Sequence, residues 1–191
     1  MPRDTSRLDM SVDFQPVNIA VLTISDTRTT DDDRSGDLLA ERIAEDGHVL
    51  ASRMIVTDDV DCITARLQDW IEDPQIDVIV TTGGTGLTGR DSTPEAFDRT
   101  IEKAIPGFGE LFRQLSYEKI GTSTIQSRAV AGVAGGTYLC ALPGSPSGCR
   151  DGWDDILRYQ LDIRHRPCNF VEIMPRLTES ASRRRTSPVD A

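Results

Sequence analysis

The chain has 191 residues, 38% of them hydrophobic and 27% charged, a size and composition that suit one globular domain. Its 21 basic and 31 acidic residues give a formal net charge of −10, which argues against nucleic acid or an anionic membrane as the main partner. No apolar run is long enough to span a bilayer, and residues 1–14 lack the apolar core of a signal peptide, so we expect a cytoplasmic protein.

Apolar, β-branched runs alternate with amphipathic stretches through the middle of the chain. In chain order, the pattern predicts a strand at 17–24, a helix at 34–45, a strand at 49–56, a helix at 62–72 and a strand at 76–82. It then predicts helices at 94–104 and 107–116, a strand at 137–142 and a last helix at about 148–161. Continuous apolar strands separated by helices indicate an α/β fold, with a parallel sheet covered on both faces.

The two ends of the chain differ in composition from this middle part. Residues 1–16 and 172–191 are mostly polar, and the second stretch carries three consecutive arginines at 183–185. We therefore expect a mobile leader at 1–16, one folded domain at 17–171 and a mobile tail at 172–191.

Polar and glycine-rich loops follow the predicted strands, at the edge where open parallel sheets bind their ligands. These loops cover residues 25–28, 57–59, 81–86 and 143–146. Four such loops on one rim predict a single cleft. Within it, Gly83, Gly84 and Gly86 let backbone amides approach a ligand, while Thr82 and Thr85 add hydroxyl groups, so this loop is a predicted phosphate cradle.

Two aspartates in these loops are candidates for chemistry. Asp91 precedes a predicted helix that either of the next two residues can cap, and this redundancy favours a functional carboxylate. Asp58 lies in a loop before another helix, where neighbouring aspartates compete for the capping position. From the residues alone, a functional Asp58 and a solvated or capping Asp58 stay equally open.

Several common site classes do not fit the sequence. The glycines after the third predicted strand match GxGxxG, but they run into Arg90 and Asp91, and no strand with an acidic end follows at the dinucleotide-fold distance. The chain has no GxxxxGK[ST] loop, and neither of its two histidines belongs to a recognisable serine-hydrolase motif. These observations argue against hydride transfer, ordinary P-loop chemistry and serine hydrolysis.

The same loops carry a resemblance to a known family. Residues 81–96, TTGGTGLTGRDSTPEA, resemble the signature of the MoaB/Mog family of molybdenum cofactor biosynthesis proteins, which is related to the G domain of gephyrin. Further matching segments follow in the family's order: ISDT at 24–27, PGFGE at 106–110 with Ser116, SRAV at 127–130 and LPGSP at 142–146. The segments GTSTIQSRA at 121–129 and RPCNF at 166–170 resemble the MoaB branch in particular.

The resemblance implies a three-layer αβα fold with a mostly parallel central sheet, assembled as a homotrimer or a hexamer. It also implies an enzyme in which the terminal phosphate of molybdopterin attacks the α-phosphate of Mg-ATP and releases pyrophosphate. Molybdopterin is then the substrate, ATP the co-substrate and Mg²⁺ the cofactor, with other molybdenum cofactor biosynthesis enzymes as partners. A catalytically silent molybdopterin-binding or scaffold protein of the same pathway is the alternative.

Carried onto this sequence, the resemblance assigns catalysis and metal binding to Asp58 and Asp91. The expected ligand-binding residues are Ser25, Asp26, Thr82, Gly83, Gly84, Thr85, Gly86, Pro143, Gly144 and Ser145. Ser145 stands where the family often has an amide side chain, so its reach toward a pterin is shorter.

Overall fold

The computed structural model describes residues 5–179. Its first half contains β1 (Asn18–Ile24), α1 (Arg34–Glu45), β2 (Val49–Val56), α2 (Val60–Ile71), β3 (Val78–Thr82), α3 (Thr93–Thr100) and β4 (Lys103–Ala104). Its second half contains α4 (Pro106–Ile120), a 3-10 segment (Gly121–Gln126), β5 (Val130–Ala134), β6 (Thr137–Leu142) and α5 (Pro146–Gly152). A π-helical segment (Trp153–Leu157), α6 (Arg158–Gln160), α7 (Phe170–Ile173) and a 3-10 segment (Met174–Arg176) complete the described chain.

A six-stranded sheet with the order β2-β1-β3-β6-β5-β4 forms the centre of the described part of the protein. The four strands β2, β1, β3 and β6 are parallel, whereas β5 runs antiparallel to both of its neighbours. The parallel order brings the carboxyl ends of these four strands to one edge. The prediction of a mostly parallel sheet in an α/β fold is confirmed.

Helices cover both faces of the sheet, because side chains along each inner strand alternate between two cores. On one face, Val21 of β1 shares a core with Phe112 of α4 and Trp153. On the other, Leu22 of β1 packs in a second core with Phe97 of α3 and neighbouring apolar residues of α2. Burial of each large apolar side chain contributes roughly 1.5–3 kcal/mol to the free energy of unfolding, so the two cores hold the three layers together.

One predicted helix is wrong at its carboxyl end, and two strands, β4 and β5, were not predicted. The helix expected at 94–104 ends at Thr100, because Ile101 has the extended angles φ −70° and ψ 127°. Lys103 then pairs with Val133 in an antiparallel ladder. The strand β5 was missed because its sequence, VAGVA, is short and made of small residues, and its place depends on pairing with β6.

The other predicted elements are present, and those predicted at 34–45, 49–56 and 137–142 have the predicted ends. The ends of the rest are shifted. The helix predicted at 107–116 continues to Ile120 and stops at Gly121, whose φ of +59° is left-handed. The helix predicted at about 148–161 begins at Pro146 and passes through the π-helical segment before it ends at Gln160.

Residues 5–16 contact the carboxyl-terminal part of the domain. Leu8 and His165 form an isolated antiparallel bridge, and Arg166 approaches Asp9 with 3.3 Å between Nη2 and Oδ2. The mobility predicted for the leader stays a prediction.

The outermost residues of the predicted leader and tail, 1–4 and 180–191, lie outside the described residues, and so do the three arginines at 183–185. Within residues 5–179, no helix is long and apolar enough to cross a membrane.

Candidate functional site

The loops after the parallel strands meet on one edge of the sheet, as predicted. The loop after β1 reaches the loop after β6, because Arg28 Nη2 donates to the Gly144 carbonyl oxygen at 2.7 Å. It also reaches the loop after β2, because the Asp58 amide donates to Asp26 Oδ1 at 3.1 Å. The loop after β1 therefore joins the loops after β2 and β6.

The glycine loop after β3 needs glycine at its first two positions. Gly83 and Gly84 have φ angles of +105° and +61°, in the left-handed region. A Cβ on Gly83 would lie 2.2 Å from the Ile24 carbonyl oxygen. Thr93, at the start of α3, donates from its hydroxyl to the Gly83 carbonyl and from its amide to the Gly84 carbonyl, at 2.8 and 3.0 Å. The loop is thus tied to the sheet and to the helix that follows.

The amides of this loop divide into two groups. The Gly83 amide donates to the Leu142 carbonyl of β6 at 3.1 Å, and the Gly86 amide donates to the carboxylate of Asp91. The amides of Gly84 and Thr85 have no acceptor within residues 5–179. Two of the four residues predicted to cradle phosphate therefore offer a free N–H group.

Asp91 folds back onto the glycine loop. Its Oδ2 accepts hydrogen bonds from the amide and hydroxyl of Thr88, at 2.8 and 2.7 Å. Burial acts to raise the pKa of the Asp91 carboxyl, but the bonds from Thr88 and Gly86, together with nearby Arg128, lower this pKa below its ordinary value. Asp91 is therefore an anion at neutral pH.

Asp58 has a capping role as well as a place beside the loop. Its Oδ1 accepts from the amide and the hydroxyl of Ser92 at 3.0 and 2.7 Å, at the amino terminus of α3. Its Oδ2 would lie 2.8 Å from a Cβ on Gly84. The structural and functional interpretations are thus compatible, because the carboxylate that holds the helix also lies against the glycine loop.

The two carboxylates suit a magnesium ion that a ligand helps to hold. Asp58 lies against Gly84, and Asp91 lies against Gly86, where its Oδ2 would be 2.8 Å from an added Cβ. Within residues 5–179, no group of three or more His, Cys, Asp or Glu side chains could hold a metal ion by itself. Mg²⁺ is commonly bound by one or two carboxylates together with substrate phosphates, so the residues present fit that mode.

Arg128 holds the glycine loop in shape, a role that the sequence did not reveal. It donates from Nε to the Gly86 carbonyl at 2.7 Å and from Nη2 to the Asp91 carbonyl at 2.8 Å. Its Nη1 pairs with Glu95 of α3. In the sequence, Arg128 stands out only as part of the family segment SRAV. Its contacts with Gly86 and Asp91 could not be predicted, because these residues are distant along the chain.

Ser25 and Asp26 lie at the rim of the site, where both are engaged by protein groups. Ser25 Oγ accepts from the Arg28 amide at 3.1 Å, which shapes the turn after β1. Asp26 Oδ2 pairs with Arg90 at 3.0 Å, a contact between the β1 loop and the glycine-loop side of the rim.

Thr82 and Ser145 make internal contacts that bear on their predicted roles. The fully buried hydroxyl of Thr82 donates to the Pro143 carbonyl at 2.9 Å, so the geometry does not support the prediction that it reaches a phosphate. Ser145 Oγ accepts from the Gly148 amide at 3.1 Å and caps α5. The backbone of the loop after β6 is thereby held against both β3 and α5.

A cleft of about 540 Å³ opens on one side of the glycine loop. Of the predicted site residues it brings together Gly84, Thr85, Gly86, Asp91, Pro143, Gly144 and Ser145. Ser25, Asp26, Asp58, Thr82 and Gly83 are not among its lining residues. The opposite wall consists of residues from α4 and the 3-10 segment that the sequence did not assign to the site: Phe112, Ser116, Lys119, Ile120, Ser123, Thr124, Gln126 and Ser127.

Known proteins similar to this chain were found by sequence and by structure. Residues 20–163 match the family described as "Probable molybdopterin binding domain". Molybdenum cofactor biosynthesis protein B of Escherichia coli strain K12 is 47% identical over 161 residues, which cover 84% of this chain and 95% of that protein.

Two solved structures are also similar. A crystal structure of molybdenum cofactor biosynthesis protein B aligns with a TM-score of 0.75 and 40% identity, over 77% of this chain and 92% of that one. The crystal structure of the tungsten cofactor synthesizing protein MoaB from Pyrococcus furiosus aligns with a TM-score of 0.67 and 35% identity, over 75% and 91% of the two chains.

Proposed function

Because the chain belongs to the MoaB/Mog family of molybdenum cofactor biosynthesis proteins, we propose that it transfers an adenylyl group from Mg-ATP to molybdopterin. The terminal phosphate oxygen of molybdopterin forms a bond to the α-phosphorus of ATP. The bond from that phosphorus to the bridging oxygen of the β-phosphate breaks, and pyrophosphate leaves with the electron pair. The products are adenylyl-molybdopterin and pyrophosphate.

The observation that carries this proposal is a glycine loop that offers free amides next to two anchored carboxylates. The amides of Gly84 and Thr85 have no acceptor in the described residues, and the loop is contacted by Asp58 at Gly84 and by Asp91 at Gly86. Amide groups of this kind bind phosphate oxygens without a positively charged side chain. Asp58 and Asp91 would hold Mg²⁺, which would supply charge neutralisation for the triphosphate.

The cleft beside the loop suits the pterin. Its far wall combines apolar contacts from Phe112 and Ile120 with the hydroxyl groups of Ser116, Ser123 and Thr124. A flat heteroaromatic ring with polar edges needs both kinds of contact, and a volume of about 540 Å³ lies in the usual range for small-molecule sites. The pterin phosphate then lies near the glycine loop, where it meets the nucleotide.

Release of pyrophosphate from ATP, with and without molybdopterin, tests the proposed reaction. We expect release that requires both molybdopterin and Mg²⁺. Molybdopterin binding without any pyrophosphate release would instead favour a catalytically silent binding or scaffold protein. Failure to bind molybdopterin would contradict both functions.

We also propose that the protein assembles as a homotrimer or a hexamer. Large apolar side chains of α4 and the following 3-10 segment that lie outside the cleft lining are exposed in the single chain, and these are Leu111, Tyr117 and Ile125. An exposed apolar patch of this kind is typical of a protein interface. Light scattering should give a mass of three or six times the 21.0 kDa chain, and a monomer at micromolar concentration would contradict the proposal.

A further inference from the structure

Lys119 has an unusual position in a protein whose basic residues are almost all arginines. The sequence contains two lysines, Lys103 and Lys119, among its 21 basic residues. Among the described residues that line the cleft, Lys119 is the only basic one, and it shares the lining with the carboxylates Asp91 and Asp151. Without Lys119, the charged side chains of the cleft wall would all repel a phosphate.

The ammonium group of Lys119 reaches from the last turn of α4 to the neighbouring helical segment. Its Nζ donates to Asp151 Oδ1 at 2.7 Å and to Asp155 Oδ2 at 2.9 Å. Burial acts to lower the pKa of Lys119, but the hydrogen bonds to these two aspartates raise it above its ordinary value. The group therefore stays charged at neutral pH.

On the basis of the proposed function, we propose that Lys119 binds the phosphate monoester of molybdopterin and so selects phosphorylated pterins. An ammonium group has three N–H donors, and the two aspartates occupy two of them. The third donor is available to a phosphate oxygen. Lys119 is 48% exposed, and such ion pairs are weakly held, so the group can also turn from an aspartate toward a doubly charged phosphate.

The monoester is the better match than the triphosphate because of how each anion is neutralised. In the proposed reaction Mg²⁺ would accompany ATP, and the amides of the glycine loop together with Asp58 and Asp91 would hold that complex. A phosphate monoester carries close to two negative charges at neutral pH and brings no metal with it. A protein cation therefore favours its binding, and Lys119 supplies such a charge in the same cleft.

A purely structural role would make Lys119 a link from α4 to Asp151 of α5 and to Asp155 of the π-helical segment. A pair of variants separates the two roles. Lys119→Met removes both the charge and the link, whereas Asp155→Asn weakens the link and leaves the ammonium group in place. If Lys119 binds phosphate, the first variant loses affinity for molybdopterin and the second keeps or gains it. If the link alone matters, both variants lose affinity together.

Equilibrium binding of molybdopterin, under anaerobic conditions, gives the first measurement. We expect Lys119→Met to raise the Kd by about tenfold or more, the effect of losing a charge-assisted hydrogen bond. Lys103→Met is the matched control, since Lys103 is exposed in β4 and absent from the cleft lining, and it should leave the Kd unchanged. Equal Kd values for the parent and Lys119→Met would overturn the role of Lys119, while no binding by the parent would contradict the proposed function itself.

Chemical labelling gives a second measurement that does not depend on activity. An amine-reactive anhydride should modify both lysines of the free protein, and peptide mass spectrometry can follow each one separately. We expect molybdopterin to slow the labelling of Lys119 at least several-fold and to leave Lys103 unaffected. Mg-ATP alone should protect neither lysine, and protection of Lys119 by Mg-ATP but not by molybdopterin would overturn the assignment to the monoester.

Discussion

Arg128 Nε donates to the Gly86 carbonyl oxygen at 2.7 Å, so a side chain just before β5 determines the shape of the loop after β3. The same guanidinium group holds the Asp91 carbonyl at 2.8 Å and pairs with Glu95. A planar fork with five donors can satisfy three partners in fixed directions at once. The positions of Asp91 and of the free loop amides therefore depend on Arg128.

Replacement of Arg128 by lysine should reduce catalysis while the fold is kept. Lysine retains the charge but lacks the fork, so it cannot hold both carbonyl oxygens and Glu95 together. We expect a loss of roughly tenfold or more in the rate of pyrophosphate release, since small displacements of catalytic groups have large effects. Arg99→Lys is the control, because Arg99 forms only an exposed ion pair with Asp61 and should change neither the rate nor the melting temperature noticeably. Equal rates for Arg128→Lys and Arg99→Lys would contradict this role of Arg128.

Replacement of Asp91 by asparagine should leave the fold and the assembly intact but remove one charge from the proposed magnesium site. We expect single-turnover adenylylation to fall by at least about a hundredfold, on the scale of other preorganised electrostatic contributions, while molybdopterin affinity falls much less. Asp58→Asn should act in the same direction, and the double variant should be less than additive, because both groups serve one ion. Asp98→Asn, on the exposed side of α3, is the matched control. Unchanged turnover in Asp91→Asn would exclude the metal-ligand role.

Gly84 and Gly89 provide a direct test of the loop geometry. In Gly84→Ala the new Cβ would lie 2.4 Å from Thr93 Oγ1 and 2.8 Å from Asp58 Oδ2, at a φ of +61°. We expect this change to lower the free energy of unfolding by about 1–3 kcal/mol, measured by denaturant titration. In Gly89→Ala nothing lies within 4 Å of the new Cβ, so stability should stay within about 0.5 kcal/mol of the parent. Equal stability of the two variants would contradict the left-handed conformation of Gly84.

Asp33 should give part of the acid sensitivity of the fold. Burial acts to raise the pKa of its carboxyl, but hydrogen bonds from Arg53, Thr23 and the Gly36 amide lower that pKa below the ordinary 3.8. Its contribution to stability is therefore complete above about pH 3.8 and is lost as the pH falls through the lower pKa of the folded state.

The corresponding variant is Asp33→Asn. It should lower the free energy of unfolding at pH 7 by about 1–3 kcal/mol, because Arg53 loses its buried partner. Its stability should also fall less steeply than that of the parent between pH 5 and pH 2. Parallel curves of stability against pH would show that Asp33 does not titrate in this range.

The sequence predicts the part of the fold that local patterns determine. Apolar runs such as residues 17–24 are visible because the buried strands need side chains that fit a core on both faces. The strand β5 was not predicted because its short run of small residues has a weak strand propensity. It forms a strand by pairing with β6, which the local sequence does not indicate.

In the candidate site, too, the features set by the local sequence could be predicted and those set by distant contacts could not. The glycine loop and Asp91 could be identified from neighbouring residues, since the tight turn and the aspartate lie within one continuous segment. The contact of Arg128 with Gly86 joins residues 42 positions apart, and the ammonium group of Lys119 meets aspartates 32 and 36 positions away. Such contacts depend on how helices pack on the sheet, and no spacing along the chain predicts them.

The Gly83 amide donates to the Leu142 carbonyl, so the hydrogen-bonded ladder between β3 and β6 continues one residue into the glycine loop. The ladder ends at Gly83. In deuterated water, we therefore expect the amide proton of Gly83 to be protected like those of β3, and the amide protons of Gly84 and Thr85, which have no acceptor in the described residues, to exchange faster. The boundary between slow and fast exchange falls between two consecutive glycines. A bound phosphate that accepts from Gly84 and Thr85 would move this boundary outward, so the exchange rates of two backbone amides report directly on whether the cradle is filled.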